Sequence, residues 1–166
     1  VHGFVPLYFN PRNPMIYKRK ERSHDIVMIA VNPMILLTSE LITDGNAASR
    51  ATHEFKVKSL KVLRSILSIL DWSTIMAHSW NHEDPSIKQS QRRKICSEAL
   101  IANPIPTHMI EYIGAKSERT VDEIEERCSL AQICIDKVGF SDMGNSIREV
   151  KDLHTDFASK LLGITY

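Results

Sequence analysis

An α+β fold with intermingled strands and helices is predicted by three observations. Short apolar runs rich in β-branched and aromatic residues recur at 4–9, 26–31 and 109–115. Other segments carry apolar residues at helical spacing, most clearly at 56–70. No regular strand–helix–strand alternation links them, so a doubly wound parallel sheet is not expected. The 166 residues suffice for one domain with a sizeable core.

The first run, Phe4-Val5-Pro6-Leu7-Tyr8-Phe9, reads as a strand. It breaks into Asn10-Pro11-Arg12-Asn13-Pro14, which suits neither helix nor interior strand. Each proline fixes φ and lacks an N–H, and each preceding Asn is pushed towards extended geometry. The result is a stiff loop carrying Arg12, with Tyr8 and Tyr17 on either side. Such a loop either holds a ligand or merely connects elements, and the residues alone leave both readings open. Positions 18–25 read as a solvated loop in preference to a phosphate-binding patch, and 26–31 as a fully buried strand stopped by Asn32-Pro33. Positions 41–43 read as a short strand entering the turn Asp44-Gly45-Asn46, where Gly is free to take positive φ.

Positions 56–70 predict a helix with Leu60, Leu63, Leu67 and Leu70 inward. Positions 71–85 read as irregular or a short helix. A second helix is predicted over 87–101, ended by Asn103-Pro104-Ile105-Pro106. Positions 109–115 form a strand, and Thr120 with Glu123 has capping-box spacing for a helix to about Cys128. Positions 133–135 alternate like a strand end. In the tail, Ser146 and Glu149 have capping-box spacing, Ile147, Val150, Phe157 and Leu161 make a stripe, and Gly163 follows it. An amphipathic helix is expected there.

The net charge of +1 supplies no global field for nucleic acid, so any such site must rest on a local basic cluster. Cys96, Cys128 and Cys134 are odd in number and lack Cys-x-x-Cys spacing. They argue against a disulfide scaffold and a zinc ribbon, and suit a reducing cytoplasm. The apolar runs are too short to span a bilayer. The chain opens at Val1 without Met and enters a strand almost at once, so further residues are expected upstream.

Candidate chemistry sits at four places. Glu98 lies in the apolar stretch Ile95-Cys96-Ser97-Glu98-Ala99-Leu100-Ile101, where a carboxylate can steady a cation or take a proton. The plainer reading, which the spacing alone favours, is an i,i+4 helix-surface pair with Lys94. Lys88, Arg92, Arg93 and Lys94 form a basic cluster for phosphates, or a solvated helix face. His78 and His82 are four apart but lack the glutamate of a zinc-protease motif and a third ligand, so no metal is expected. Trp80 between them is either a base-stacking platform or part of the core. Thr43-Asp44-Gly45-Asn46 either hydrogen-bonds a cofactor or is a plain Asx turn. The cysteines read as small core residues. No Gly-x-Gly-x-x-Gly, P-loop or Gly-x-Ser-x-Gly is present.

In order along the chain, these segments resemble one family. The run from Phe4 through Asn10-Pro11-Arg12-Asn13-Pro14-Met15-Ile16-Tyr17 is similar to the Tyr-Val-Pro-Phe-Tyr-Phe-x-Pro-Arg-Ser-Pro-Met-Leu-Tyr signature of DarT, the DNA ADP-ribosyltransferase toxins. Thr43-Asp44-Gly45-Asn46-Ala47-Ala48, Leu70-Asp71-Trp72 and Ser97-Glu98-Ala99-Leu100-Ile101 resemble later family segments. The likeness covers positions 2 to about 135. It implies a mono-ADP-ribosyltransferase fold with a split β core that grips NAD, and transfer of ADP-ribose onto a base of single-stranded DNA, most often thymine. Guanine- or RNA-directed transfer, and a catalytically degenerate module that binds NAD or nucleic acid, are the alternatives.

By the same resemblance Glu98 is the catalytic carboxylate. Tyr8, Arg12, Met15, Tyr17, Thr43, Asp44 and Asn46 belong to the NAD pocket, and Trp80, Lys88, Arg92 and Arg93 face the nucleic acid. A macrodomain antitoxin is the implied partner. The family's opening, a His-x-Thr strand and a later Arg, has no counterpart here. Residues 1–140 are therefore expected to be a partial transferase domain, with 141–166 a helical tail.

Overall fold

The computed structural model describes residues 3–130 and 138–140. The strand-like 133–135 and the tail helix predicted after 140 lie outside the described residues. Those that are described form two compact units, interleaved in sequence. The first holds the described residues up to Lys18 and Leu36–Pro104; the second holds Arg19–Ile35 and the described residues after Pro104. Both sheet and helix occur throughout, as the α+β expectation requires.

The first unit is built on a four-stranded sheet. Strands β1 (Val5–Tyr8), β3 (Ser39–Thr43), β4 (Glu54–Lys56) and β5 (Glu98–Ile101) lie in the order β1-β5-β3-β4, and every pairing is antiparallel. β1 is an edge strand, which is where Pro6 is tolerated without losing a ladder bond. β5 is central, and all four of its residues are buried. Helix α1 (Pro14–Tyr17) follows β1, and α2 (Leu60–Ile69), α3 (Trp72–Ile75) and α4 (Pro85–Lys94) lie between β4 and β5. The core is filled by Ile42, Leu63, Leu67, Ile75, Ile95 and Leu100, each worth about 1.5–3 kcal/mol once removed from water. Phe9 meets Trp72 edge-on at 5.2 Å, and the Trp72 indole donates to the Leu67 carbonyl at 2.7 Å.

Three sequence expectations change in the first unit. The helix predicted over 56–70 starts later. Lys56 ends β4, and Ser59 caps α2 by accepting from the Val62 N–H, which leaves Leu60 exposed. The stiff loop after Asn10 ends in the short helix α1, because Asn13 accepts from the Met15 and Ile16 N–H groups and Pro14 occupies the first turn. The helix predicted over 87–101 is two elements. Asp84 and Pro85 start α4, and the chain turns after Lys94, where the Ser97 hydroxyl donates to the Lys94 carbonyl at 2.7 Å. The apolar run beyond is the central strand β5. Such strands read as continuous apolar stretches and imitate a buried helix.

Further changes fall in the second unit. Its sheet has the order β2-β6-β7, with β2 (Val27–Val31) antiparallel to β6 (Ile110–Ala115) and β7 (Val138–Phe140) parallel to β6. β2 is an edge strand, so it is not fully buried, and Val27 and Ile29 are exposed. Asn32 ends it: its amide donates to Glu111 at 2.7 Å and its carbonyl side-chain oxygen accepts from the Met34 N–H at 2.8 Å. Positions 18–25, read as loop, include a 3-10 segment over Lys20–Asp25. Helix α5 (Glu118–Leu130) opens before the expected Thr120 box, and the Thr120 hydroxyl donates instead to the His24 carbonyl.

Candidate active site

Glu98 stands at the start of the central strand, opposite Tyr8 of β1. Directly opposed residues of an antiparallel pair share a face, so the phenol and the carboxyl project together. Glu98 is 3% exposed, and Lys94 is not its partner, because the helix has already ended. Lys94 instead donates to Asp71 at 2.8 Å. The Glu98 carboxylate accepts the Ala47 backbone N–H at 2.6 Å. Burial pushes its carboxyl above the ordinary glutamate value, and the Ala47 N–H opposes the rise. A buried carboxylate with a raised proton affinity and a lone pair left over is suited to hydroxyl binding and proton transfer.

The loop after β3 brings Ala47 to that place. The Thr43 hydroxyl donates to the Gly45 carbonyl at 2.6 Å and accepts the Glu98 N–H at 3.2 Å. Asp44 accepts from the His53 N–H at 2.8 Å and from the Arg93 guanidinium at 2.6 Å, and the same Arg93 nitrogen reaches the Asp44 carbonyl at 2.9 Å. Burial pulls the Asp44 carboxyl upward, but the His53 backbone and ring and the Arg93 charge outweigh it and hold it below the usual range. Gly45 is needed for space rather than for positive φ. A Cβ there would stand 2.7 Å from Thr52 Oγ1 and 2.8 Å from Arg93 Cγ. Asn46, on the far side of Gly45, donates to the Tyr8 hydroxyl at 3.3 Å. Tyr8, Asn46, Ala47 and Glu98 are thereby joined in one cluster.

The segment from Asn10 to Tyr17 is held from within by two buried asparagines, each 1% exposed. Asn10 donates to the Ile75 carbonyl at 2.8 Å and accepts the Arg12 N–H at 2.8 Å; Asn13 donates to the Asn10 carbonyl at 3.0 Å. Arg12 lies 3.3 Å from His78 Nδ1, and Tyr17 meets Trp80 edge-on at 5.8 Å. Met15 is half-buried next to Cys96. Burial first, and the Glu98 charge second, push the Cys96 thiol up to about 11, which suits an inert core residue.

The basic residues of α4 differ in surroundings. Arg92 is exposed and Lys88 half-buried, whereas Arg93 is turned onto Asp44. His78 and His82 do not share a helix, and the His82 ring accepts the Asp84 N–H at 3.0 Å. Among the described residues no three His, Cys, Asp or Glu side chains converge as a metal site, and no helix is long and apolar enough to cross a membrane.

Asn10, Asn13, Ala47 and the spatial need for Gly45 escape sequence reasoning. The repeated Asn-Pro pairs are the available signal for the first two. A backbone N–H such as Ala47's leaves no signal in a side chain.

A family model described as ssDNA thymidine ADP-ribosyltransferase, DarT, matches residues 1–141. A DNA ADP-ribosyl transferase–DNA ADP-ribosyl glycohydrolase fusion protein of Thermosipho africanus is 31% identical over 127 residues, 74% of this chain and 30% of the relative. A DNA ADP-ribosyl transferase of Thermus sp. is 25% identical, over 75% of this chain and 59% of the relative. The chain thus spans between 30% and 59% of the length of these relatives. The structure of Thermus sp. 2.9 DarT in complex with carba-NAD+ shares the fold, with a TM-score of 0.67 at 22% identity, over 84% of this chain and 71% of that one. The same DarT in complex with ADP-ribosylated ssDNA superposes with a TM-score of 0.66, over 84% and 67%. With the fold shared and the family model covering most of its length, this chain belongs to the DarT family.

Proposed function

We propose that the chain is the carboxylate-bearing part of a toxin that transfers ADP-ribose from NAD onto a base of single-stranded DNA, thymine being the base named for its family. The observation that carries this reading is Glu98: a buried carboxylate on the central strand, held by one backbone N–H and projecting with Tyr8 and Asn46. The complexes of the Thermus relative with carba-NAD+ and with ADP-ribosylated ssDNA support it. The residues present fit a dinucleotide. Glu98 offers an acceptor to ribose hydroxyls, Tyr8 an aromatic face, Asn46 an amide, and Arg12 a cation for phosphate. Met15 and Tyr17 lie on the same segment as Arg12, while Thr43 and Asp44 shape the loop that presents Asn46 and Ala47.

In the transfer, the bond from ribose C1 to nicotinamide breaks and a bond from C1 to a base nitrogen forms. Positive charge grows on the ribose meanwhile. Glu98 counters that charge from a water-poor site, where it acts most strongly. Its burial-raised proton affinity also fits it to take the proton that leaves the base. Trp80 supplies a stacking face, and Lys88 and Arg92 on the helix that follows offer cations for phosphates, whereas Arg93 is turned onto Asp44. Residues 1–140 make a partial transferase domain, in keeping with the family match over residues 1–141. The partner is single-stranded DNA in the cytoplasm, with an ADP-ribosyl-removing macrodomain antitoxin, in keeping with the glycohydrolase fused to the Thermosipho relative.

The test is incubation of full-length protein with labelled NAD and mixed DNA and RNA oligonucleotides. Label on thymine-containing single strands, lost in Glu98→Gln, is expected. Label on guanine or RNA moves the target, and no Glu98-dependent label on any nucleic acid overturns the reading.

A further inference from the structure

Arg93 and Asp44 close a ring around the candidate carboxylate. From Asp44 the chain runs through Gly45 and Asn46 to Ala47, whose N–H meets Glu98 at 2.6 Å. From Glu98 the chain runs back through the turn to Arg93, whose guanidinium meets Asp44 at 2.6 Å and its carbonyl at 2.9 Å. Three further observations tighten the ring. The Thr43 hydroxyl ties Gly45 to the Glu98 backbone. Gly45 lies so close to Arg93 that no Cβ fits. The His53 N–H and ring hold the other side of Asp44.

We propose that Arg93, through Asp44, is a positioning residue that fixes the Ala47 N–H on the Glu98 carboxylate, rather than a phosphate contact. The proposal rests on the transferase reading for its kinetic part only. Physically, the loop tip from Gly45 to Ala47 is short and its conformation follows its anchor. With Arg93 bound at two Asp44 oxygens, the N–H is aimed before substrate arrives, so no reorganisation is needed as charge develops. Without Arg93 the remaining ties are the Thr43 hydroxyl, the exposed His53 bonds to Asp44 and the long Asn46–Tyr8 bond of 3.3 Å. A displaced Ala47 leaves the buried carboxylate without that donor, and its proton affinity rises.

The experiment compares full-length wild type with Arg93→Met, Arg93→Lys and Asp44→Asn/Arg93→Met. Three quantities are read: amide exchange at Ala47, Glu98 titration by carboxyl NMR, and nicotinamide release from NAD. Arg93→Met is expected to speed Ala47 exchange by about tenfold or more while Leu100 is unchanged. The Glu98 titration should move upward, and kcat should fall about 10–100-fold with little change in KM for NAD. Arg93→Lys, which keeps the charge, should be intermediate, and it remains readable if the methionine variant does not fold. The double variant should be no worse than Arg93→Met, because both remove one contact. Wild-type exchange and titration in Arg93→Met and Arg93→Lys would overturn the proposal. So would a loss confined to the KM for oligonucleotide that steepens with salt, the mark of a phosphate contact. If wild type releases no nicotinamide while Ala47 and Glu98 still respond, the positioning pair stands and the transferase reading falls.

Discussion

Gly45→Ala is the sharpest single probe of the loop. The added Cβ would meet Thr52 Oγ1 at 2.7 Å, Arg93 Cγ at 2.8 Å and the Arg93 carbonyl at 3.2 Å, where ordinary contact begins near 3.4 Å. The neighbours would have to give by about 0.6–0.7 Å on two sides at once. Thr52 is β-branched, so its Oγ1 clears the added Cβ only by a change of χ1 rotamer that puts the methyl or hydrogen in its place. Arg93 Cγ lies near the helix backbone, and the far end of that side chain is pinned on Asp44. Overpacking of this kind costs about 1–3 kcal/mol, which lowers Tm by roughly 3–10 °C for a chain of this size. The strain falls on the residues that aim Ala47, so nicotinamide release should slow as well. Urea and thermal unfolding read the first effect, and a labelled-NAD assay reads the second. Thr52→Ala by itself should be close to neutral or stabilising, because its hydroxyl is buried without a hydrogen-bond partner. In the double variant it should restore part of the stability lost. An alanine at 45 that unfolds within about 0.5 kcal/mol of wild type and turns over normally would refute the packing argument.

Glu98→Gln should lower kcat by about 10²–10³-fold while raising stability at neutral pH. The sign follows from linkage: a carboxyl whose folded value is raised holds its proton longer in the native state than in the unfolded one. Its stability contribution is therefore fully present below the ordinary value of 4.5 and declines as pH climbs through the raised one. Unfolding curves across that window should flatten in Glu98→Gln, and parallel pH profiles in the two proteins would count against the burial argument. Cys96, 4% exposed with its thiol pushed up to about 11, should resist iodoacetamide at pH 7.5 until denaturant is added; rapid native labelling would contradict this. Asn13→Ala removes the cap of α1 and a bond to the Asn10 carbonyl, and should cost about 1–3 kcal/mol by denaturant titration. Trp80→Ala should weaken single-stranded oligonucleotide binding by about 1–3 kcal/mol in fluorescence titration, leaving NAD turnover without DNA unchanged. Equal loss of both would place Trp80 in the NAD pocket instead.

The elements set by short-range chemistry are legible in residue types and spacing alone. β1, β3 and β6 stand out by their composition, and the Leu63/Leu67 face of α2, with Leu70 at its C-cap, by its period. The break at Asn10-Pro11 is equally plain. What misleads is the stretch through Glu98. Its apolar residues continue helix α4 without a proline or glycine, and Lys94 sits four positions before the carboxylate. Periodicity cannot separate a fully buried strand from a buried helix. The surface pair with Lys94 is thus what the spacing favours, and the family resemblance, not the spacing, singles out Glu98.

By itself the sequence determined the mixed fold class, the stiff segment that carries Arg12, and the membership signalled by motifs in order. Those depend on propensity, φ restriction and spacing, all of which act within a few residues. Only the tertiary structure decided that Glu98 is buried opposite Tyr8, that Ala47 supplies its hydrogen bond from 51 positions away, and that Arg93 grips Asp44 across 49. Strand order and these long-range hydrogen bonds arise from burying the core of the first unit, and no local pattern of residue types encodes which backbone N–H will end up facing a carboxylate.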